Sequence, residues 1–111
     1  GGFLMTGQEL STAVQNRLKI TVIVCDNGHY ATIMMHQHRY AGDGNYAAIK
    51  INNTDFAALG AAYGARSWRV EKTDEFAPAF DEALAHDGPS LIHVLTDIRD
   101  ISAGGPLKPS A

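Results

Sequence analysis

Two stretches of this chain carry residue types that could do chemistry. At the amino end, Gly1 and Gly2 precede the segment TGQELSTAVQNRL, which has helical spacing. Glycines ahead of a helix let backbone N–H groups approach an anion, and the helix dipole favours a phosphate there. Further on, the apolar run VIVC ends abruptly in Asp26, Asn27, Gly28, His29 and Tyr30. An amide oxygen and a turn carbonyl are hard oxygen ligands of the kind Mg2+ takes, and that ion typically joins one or two protein ligands to substrate phosphates. Together the two stretches describe a diphosphate–Mg2+ site. The same residues would equally serve as a plain turn.

Other polar residues carry weaker signals. His36 and His38 are separated by one residue and diverge on a helix, so they do not read as a zinc pair. The AGDG run at 41–44 reads as a loop, and Asp97, Arg99 and Asp100 as a solvated strand end. Cys25 reads as a small core residue. Trp68 and the Phe and Tyr residues at helical spacing read as core or subunit interface, not as a platform for stacking bases.

The elements that must position the two stretches follow from periodicity. Thr6 and Glu9 match a capping box, and Leu10, Ala13, Val14 and Leu18 follow at helical spacing. Residues 20–25, ITVIVC, predict a strand covered on both faces. Residues 31–39 predict a short helix and 40–53 a loop. Asn53 then caps a helix over 54–64, with Phe56, Leu59 and Tyr63 on one face and Gly64 as a left-handed C-terminal cap. RSWRV at 66–70 is a strand. Thr73 caps a helix over 74–88 that lines up Phe76, Phe80, Ala83 and Leu84 and contains Pro78. Residues 90–97 form the last strand, and 102–111 a surface tail. Such alternation predicts right-handed crossovers and a parallel sheet. Both polar stretches then lie on one edge of the sheet, where open α/β folds bind ligands. The first helix has no strand before it, so a strand upstream of Gly1 is expected, and the chain reads as cut from something longer.

The bulk numbers set bounds. A chain of 111 residues is one domain by default. A net charge of −3, with nine scattered Lys and Arg, argues against a nucleic-acid or membrane surface. The single cysteine cannot form an internal disulfide and fits a reduced, cytoplasmic protein. Nothing reads as a signal peptide, and no stretch approaches the roughly 18 apolar residues of a membrane helix.

The segments GGFLMTGQELSTAVQ and ITVIVCDNGHY resemble the cofactor-binding motif of thiamine diphosphate enzymes of the acetolactate synthase and pyruvate decarboxylase group. That motif opens with Gly-Asp-Gly and closes with Asn-Asn roughly 25–30 residues later, on the strand–helix–strand frame of doubly wound folds. The resemblance continues through NTDFAALGAAYGARSWRVEKTDEFAPAFDEAL and GPSLIHV, nearly the whole chain. It implies a three-layer α/β, parallel-sheet thiamine diphosphate-binding fold, truncated at its amino end.

The resemblance also implies roles. Gly1 matches the second glycine of the opening motif; the Asp before it, a Mg2+ ligand in the family, is not in this chain. Asp26 stands where the first Asn usually stands, a departure. Asn27 matches the second Asn, whose side-chain oxygen binds Mg2+. His29 matches the position whose backbone carbonyl binds the metal. Gly2 and Phe3 match positions beside the diphosphate, and Tyr30 follows in the same loop. Thr32, Ile33 and His36 match positions that face the thiazolium or substrate.

The implied cofactors are thiamine diphosphate and Mg2+, with the cofactor as electron sink for a 2-oxo acid. The activating glutamate of the family comes from another domain, usually a partner subunit's. Glu9 is not that residue, since it sits in a capping position. No catalytic residue is therefore expected here, and the isolated chain should be inactive. The implied partners are the remaining domains of the parent enzyme and further copies in a dimer or tetramer. A natural small subunit carrying only this domain is disfavoured by the missing Asp. The rival reading is a non-catalytic α/β binding or interaction module, flavodoxin-like. It explains the alternation and the polar strand end, but not the match across both segments.

Overall fold

Three short runs rich in apolar and β-branched residues pair into one parallel sheet in the computed structural model, which describes residues 1–52 and 54–101. They are β1 (Thr21–Asp26), β2 (Arg66–Val70) and β3 (Ser90–Leu95), in the order β1-β3-β2. The sheet belongs to the first of two units, residues 1–26 with 54–95. β3 is the middle strand, and Ser90 to His93 are buried. A strand paired on both sides and covered on both faces reads as a near-continuous apolar run, as SLIHVL does.

Register sorts the side chains onto two faces. Val22, Val24 and Asp26 pair with Leu91, His93 and Leu95 on one face, and Trp68 and Val70 pair with Ile92 and Val94 on the other. The first face packs against α2 (Glu9–Gln15) and α4 (Phe56–Tyr63), burying Leu10, Val24, Phe56, Ala65 and Leu91. The second packs against α5 (Thr73–Ala85), burying Val70, Ala79, Ala83 and Ile92. Leu91 and Ile92 are both 0% exposed, and each such side chain contributes about 1.5–3 kcal/mol by leaving water. The result is the expected three-layer α/β arrangement on a parallel sheet.

β1 departs from expectation. It is an edge strand, and α5 packs on β2 and β3. Among the described residues its second face is therefore uncovered: Ile23 is 43% exposed, and Cys25 is exposed rather than a core residue.

The helix starts also shift. Instead of one helix from Thr6, the chain forms α1 (Gly2–Thr6) and α2, with Gly7 at the break. A Cβ on Gly7 would stand 2.6 Å from the Phe3 carbonyl oxygen, so only glycine allows that tight join. The Thr6–Glu9 capping box does not form; Gln8 precedes α2, and the Glu9 carboxylate accepts from the Thr12 hydroxyl at 3.0 Å. Asn53 lies outside the described residues, and Asp55 caps α4 by accepting the Ala58 N–H at 3.0 Å. Gly64 ends α4 in the left-handed conformation, as expected. Thr73 is the first residue of α5 rather than its cap, and the Glu75 carboxylate takes the N–H groups of Glu71 and Lys72. The tail expected at 102–111 lies outside the described residues.

The second unit holds residues 27–52 and 96–101 of the described chain. Its helix α3 (Ala31–Ala41) runs two residues beyond the expected 31–39 and ends at Gly42, φ 85°. Met34 and Ile49 are buried. Residues 49–51 run antiparallel to the Asn27 turn: Tyr30 N–H donates to Ile49 O at 2.8 Å, and Ile51 N–H to Gly28 O at 3.0 Å. No helix among the described residues is long and apolar enough to cross a membrane.

Candidate functional site

The turn after β1 is built by its own side chains. Asn27 Oδ1 accepts the His29 N–H at 3.1 Å, an Asx turn. Gly28 sits between them at φ +69°, where a side chain would be strained. The His29 ring folds back, its Nδ1 3.0 Å from the Asn27 carbonyl oxygen. The two bonds to residues 49–51 then pin the turn against a second stretch of backbone.

The donor set fits a particular kind of ion. Asn27 Oδ1 spends one lone pair on His29 and keeps capacity for another partner. The imidazole of His29 is engaged locally, which leaves its carbonyl as that residue's oxygen donor. These are neutral hard oxygens. They suit a Mg2+ ion whose charge is balanced by a diphosphate rather than by a protein cage. Among the described residues, no three or more His, Cys, Asp or Glu side chains group to hold a metal.

Within the first unit, a chain of contacts links the start of α1 to the end of β1. The Phe3 ring meets Phe56 edge-on, with centroids 5.6 Å apart. Phe56 meets His93 in the same way at 5.1 Å. His93 Nε2 lies 2.8 Å from Asp26 Oδ2. His93 is 1% and Asp26 8% exposed. A carboxylate only accepts, so Nε2 carries the shared proton. The other ring nitrogen, Nδ1, is buried without a hydrogen-bond partner among the described residues, 3.8 Å from Asp55 Oδ1.

The remaining sequence-derived residues sit as follows. Gly1 and Gly2 are exposed, and no described atom lies within 4 Å of where a Cβ would stand on Gly2. The chain's own packing therefore does not require a glycine there. The helix they start has only five residues, which shortens the dipole expected from a long one. Tyr30 precedes α3 and is 45% exposed. Thr32, Ile33 and His36 share the exposed side of α3, with His36 stacked on Tyr40 at 6.4 Å.

Three features escaped the sequence reading. His93 looked like part of an apolar strand, and its only signal was a histidine inside SLIHVL. The stretch at 49–51 gave no sign of bracing the turn. Ala41 of the AGDG run ends α3 and the rest is a loop, but its Asp43 is tied in: Tyr46 OH donates to Asp43 Oδ1 at 2.6 Å, and His38 Nδ1 lies 3.0 Å from the same hydroxyl. That hydroxyl holds Asp43 below the usual carboxylate range, and Asp43 in turn raises Tyr46 above the usual phenol range. Arg99 Nη1 approaches Asp43 Oδ1 at 3.7 Å, so Arg99 is more than a solvated strand end.

A sequence profile of the thiamine pyrophosphate enzyme C-terminal TPP binding domain matches residues 1–94. The chain belongs to this family. Among relatives of this thiamine pyrophosphate-binding domain, the YdaP protein of Bacillus subtilis is 40% identical over 95 residues, covering 86% of this chain and 16% of YdaP. The large subunit of acetolactate synthase isozyme 2 of Escherichia coli is 29% identical over 97 residues, covering 87% of this chain and 18% of the subunit. The crystal structure of benzoylformate decarboxylase from Polynucleobacter necessarius matches with a TM-score of 0.76 at 31% identity, over 99% of this chain and 19% of that one. The chain thus spans less than a fifth of the length of these relatives. Their names cover more than one reaction, so the domain is shared while the chemistry differs.

Proposed function

We propose that this chain holds the diphosphate of thiamine diphosphate through Mg2+, within a larger lyase or transferase that acts on 2-oxo acids by decarboxylation and carboligation, as acetolactate synthase does. The observation that carries the reading is the Asn27 turn: a side-chain amide oxygen fixed by the His29 N–H, with Gly28 at positive φ, directly after a parallel strand. Asn27 Oδ1 and the His29 carbonyl serve as metal ligands. Gly1, Gly2, Phe3 and Tyr30 serve the diphosphate side. When bound, the cofactor supplies the electron sink for cleavage beside a carbonyl. The chain's own part is to bind and orient. No residue of it is assigned a catalytic role, and the remaining domains and a second copy complete the enzyme. Acetolactate synthases among the relatives support this choice of chemistry. The free thiol of Cys25 supports a cytoplasmic setting.

Calorimetric titration of thiamine diphosphate into the intact protein, with and without Mg2+, tests the reading beside Asn27→Ala. Mg2+-dependent binding in the wild type, weakened at least tenfold in the variant, is expected. Binding that ignores Mg2+ or the substitution would sink it.

A further inference from the structure

We propose that His93 is a positioning residue for the metal turn, acting through Asp26; this rests on the reading of Asn27 as a Mg2+ ligand. Asp26 is the residue immediately before Asn27 and the last of β1. Its carboxylate is buried, and a buried carboxylate must be paired or it leaves the interior. His93 supplies the bond, Nε2 to Oδ2 at 2.8 Å, from the neighbouring strand β3. β3 is the central strand, paired on both sides. The imidazole is held in turn by the Phe56 ring at 5.1 Å, and Phe56 by Phe3 at 5.6 Å. One strut within the first unit therefore joins the end of β1 to the start of α1.

The orphaned Nδ1 indicates what the ring is for. Among the described residues it is buried with no hydrogen-bond partner, 3.8 Å from Asp55 Oδ1, an arrangement that costs stability and that an apolar residue would avoid. A side chain chosen only for packing in this core would be Leu or Phe. A side chain that donates to Asp26 must instead be polar, and in an imidazole a second nitrogen comes with the donor.

The test uses the intact protein, with melting temperature, Mg2+ affinity at saturating thiamine diphosphate and exchange of the His29 amide as readouts. His93→Leu removes the donor, and His93→Gln keeps one. His93→Leu with Asp26→Asn removes the buried charge as well. Positioning predicts that His93→Leu weakens Mg2+ binding at least tenfold and speeds exchange of the His29 amide. His93→Gln should stay within about threefold of wild type. The double variant should regain melting temperature without regaining affinity, a separation that a purely structural role does not produce. Wild-type Mg2+ affinity in a folded His93→Leu or in the double variant overturns the proposal while leaving the Asn27 reading intact. If His93→Leu does not fold, His93→Gln decides: affinity near wild type supports the donor role, and a loss of tenfold or more overturns it. Absence of Mg2+-dependent binding in the wild type overturns both readings.

Discussion

Tyr46 shows how much a single hydroxyl organises in the second unit. It donates to Asp43 and meets His38, and it is the largest cause of the low Asp43 pKa. Tyr46→Phe removes that donor while keeping the ring. The Asp43 carboxyl should then titrate closer to the ordinary carboxylate value, read from its side-chain carbon shift by NMR. An unchanged titration would mean that the bond is not made in solution. Residues of this kind were hard to see in the sequence. Asn27 and Gly28 were legible because an Asx turn is local chemistry, complete within three residues. Asp43 and Tyr46 are also close in sequence, but nothing in AGDGNY says which of several polar groups will meet. Asp26 and His93 are 67 residues apart, and their pairing is a property of the sheet register rather than of either segment.

Among the elements, α4 is one whose position depends on a missing side chain. At Gly60 a Cβ would stand 2.5 Å from Ser67 Oγ and 3.1 Å from Leu91 Cβ, so the helix lies directly on β2 and β3. Gly60→Ala gains about 1 kcal/mol in helix propensity and costs about 1–3 kcal/mol in overpacking. Net destabilisation is expected in urea unfolding. Adding Ser67→Ala should recover only part of it, because the Leu91 contact remains; full recovery would place the clash on the serine alone. The sequence showed the order and type of most elements, since alternation of strand and helix periods survives local irregularity. Their starts were less legible. The S/T-x-x-E pattern at Thr6 is genuine as a pattern, yet Gly7 permits a tight join to Phe3 that breaks the helix there. VIVC reads the same whether one face or two are covered, and only the edge position of β1 decides that Ile23 and Cys25 face out.

For the chain as a whole, acid should be the more damaging direction of pH. Asp43, Asp55 and Glu75 are all held below their ordinary values: by the Tyr46 hydroxyl, by the Ala58 N–H, and by the Glu71 and Lys72 N–H groups. A depressed carboxylate contributes stability that is present above its unfolded pKa, about 4, and is lost as pH falls through the folded value. Tyr46 has the opposite sign; its raised pKa gives a contribution present below the usual phenol range and lost as pH rises through its folded value. Urea midpoints should therefore hold steady from pH 7 to about 5 and decline towards pH 3, with a shallower decline in Glu75→Gln. A midpoint flat down to pH 3 would show that these surface bonds contribute nothing measurable.

The strand order has a consequence for how such a chain comes off the ribosome. β1 and β2 do not pair with each other; each pairs with β3, which is the last strand in sequence. None of the ladder described here can close until residues 90–95 have been synthesised and have left the exit tunnel. Until then β1 waits without its β3 partner, across more than 60 residues of further translation. Exposed strand edges are what chaperones and aggregating neighbours seize. The polar DNGHY that ends β1, and the charged RSWRVEK around β2, thus also serve as gatekeepers during that interval.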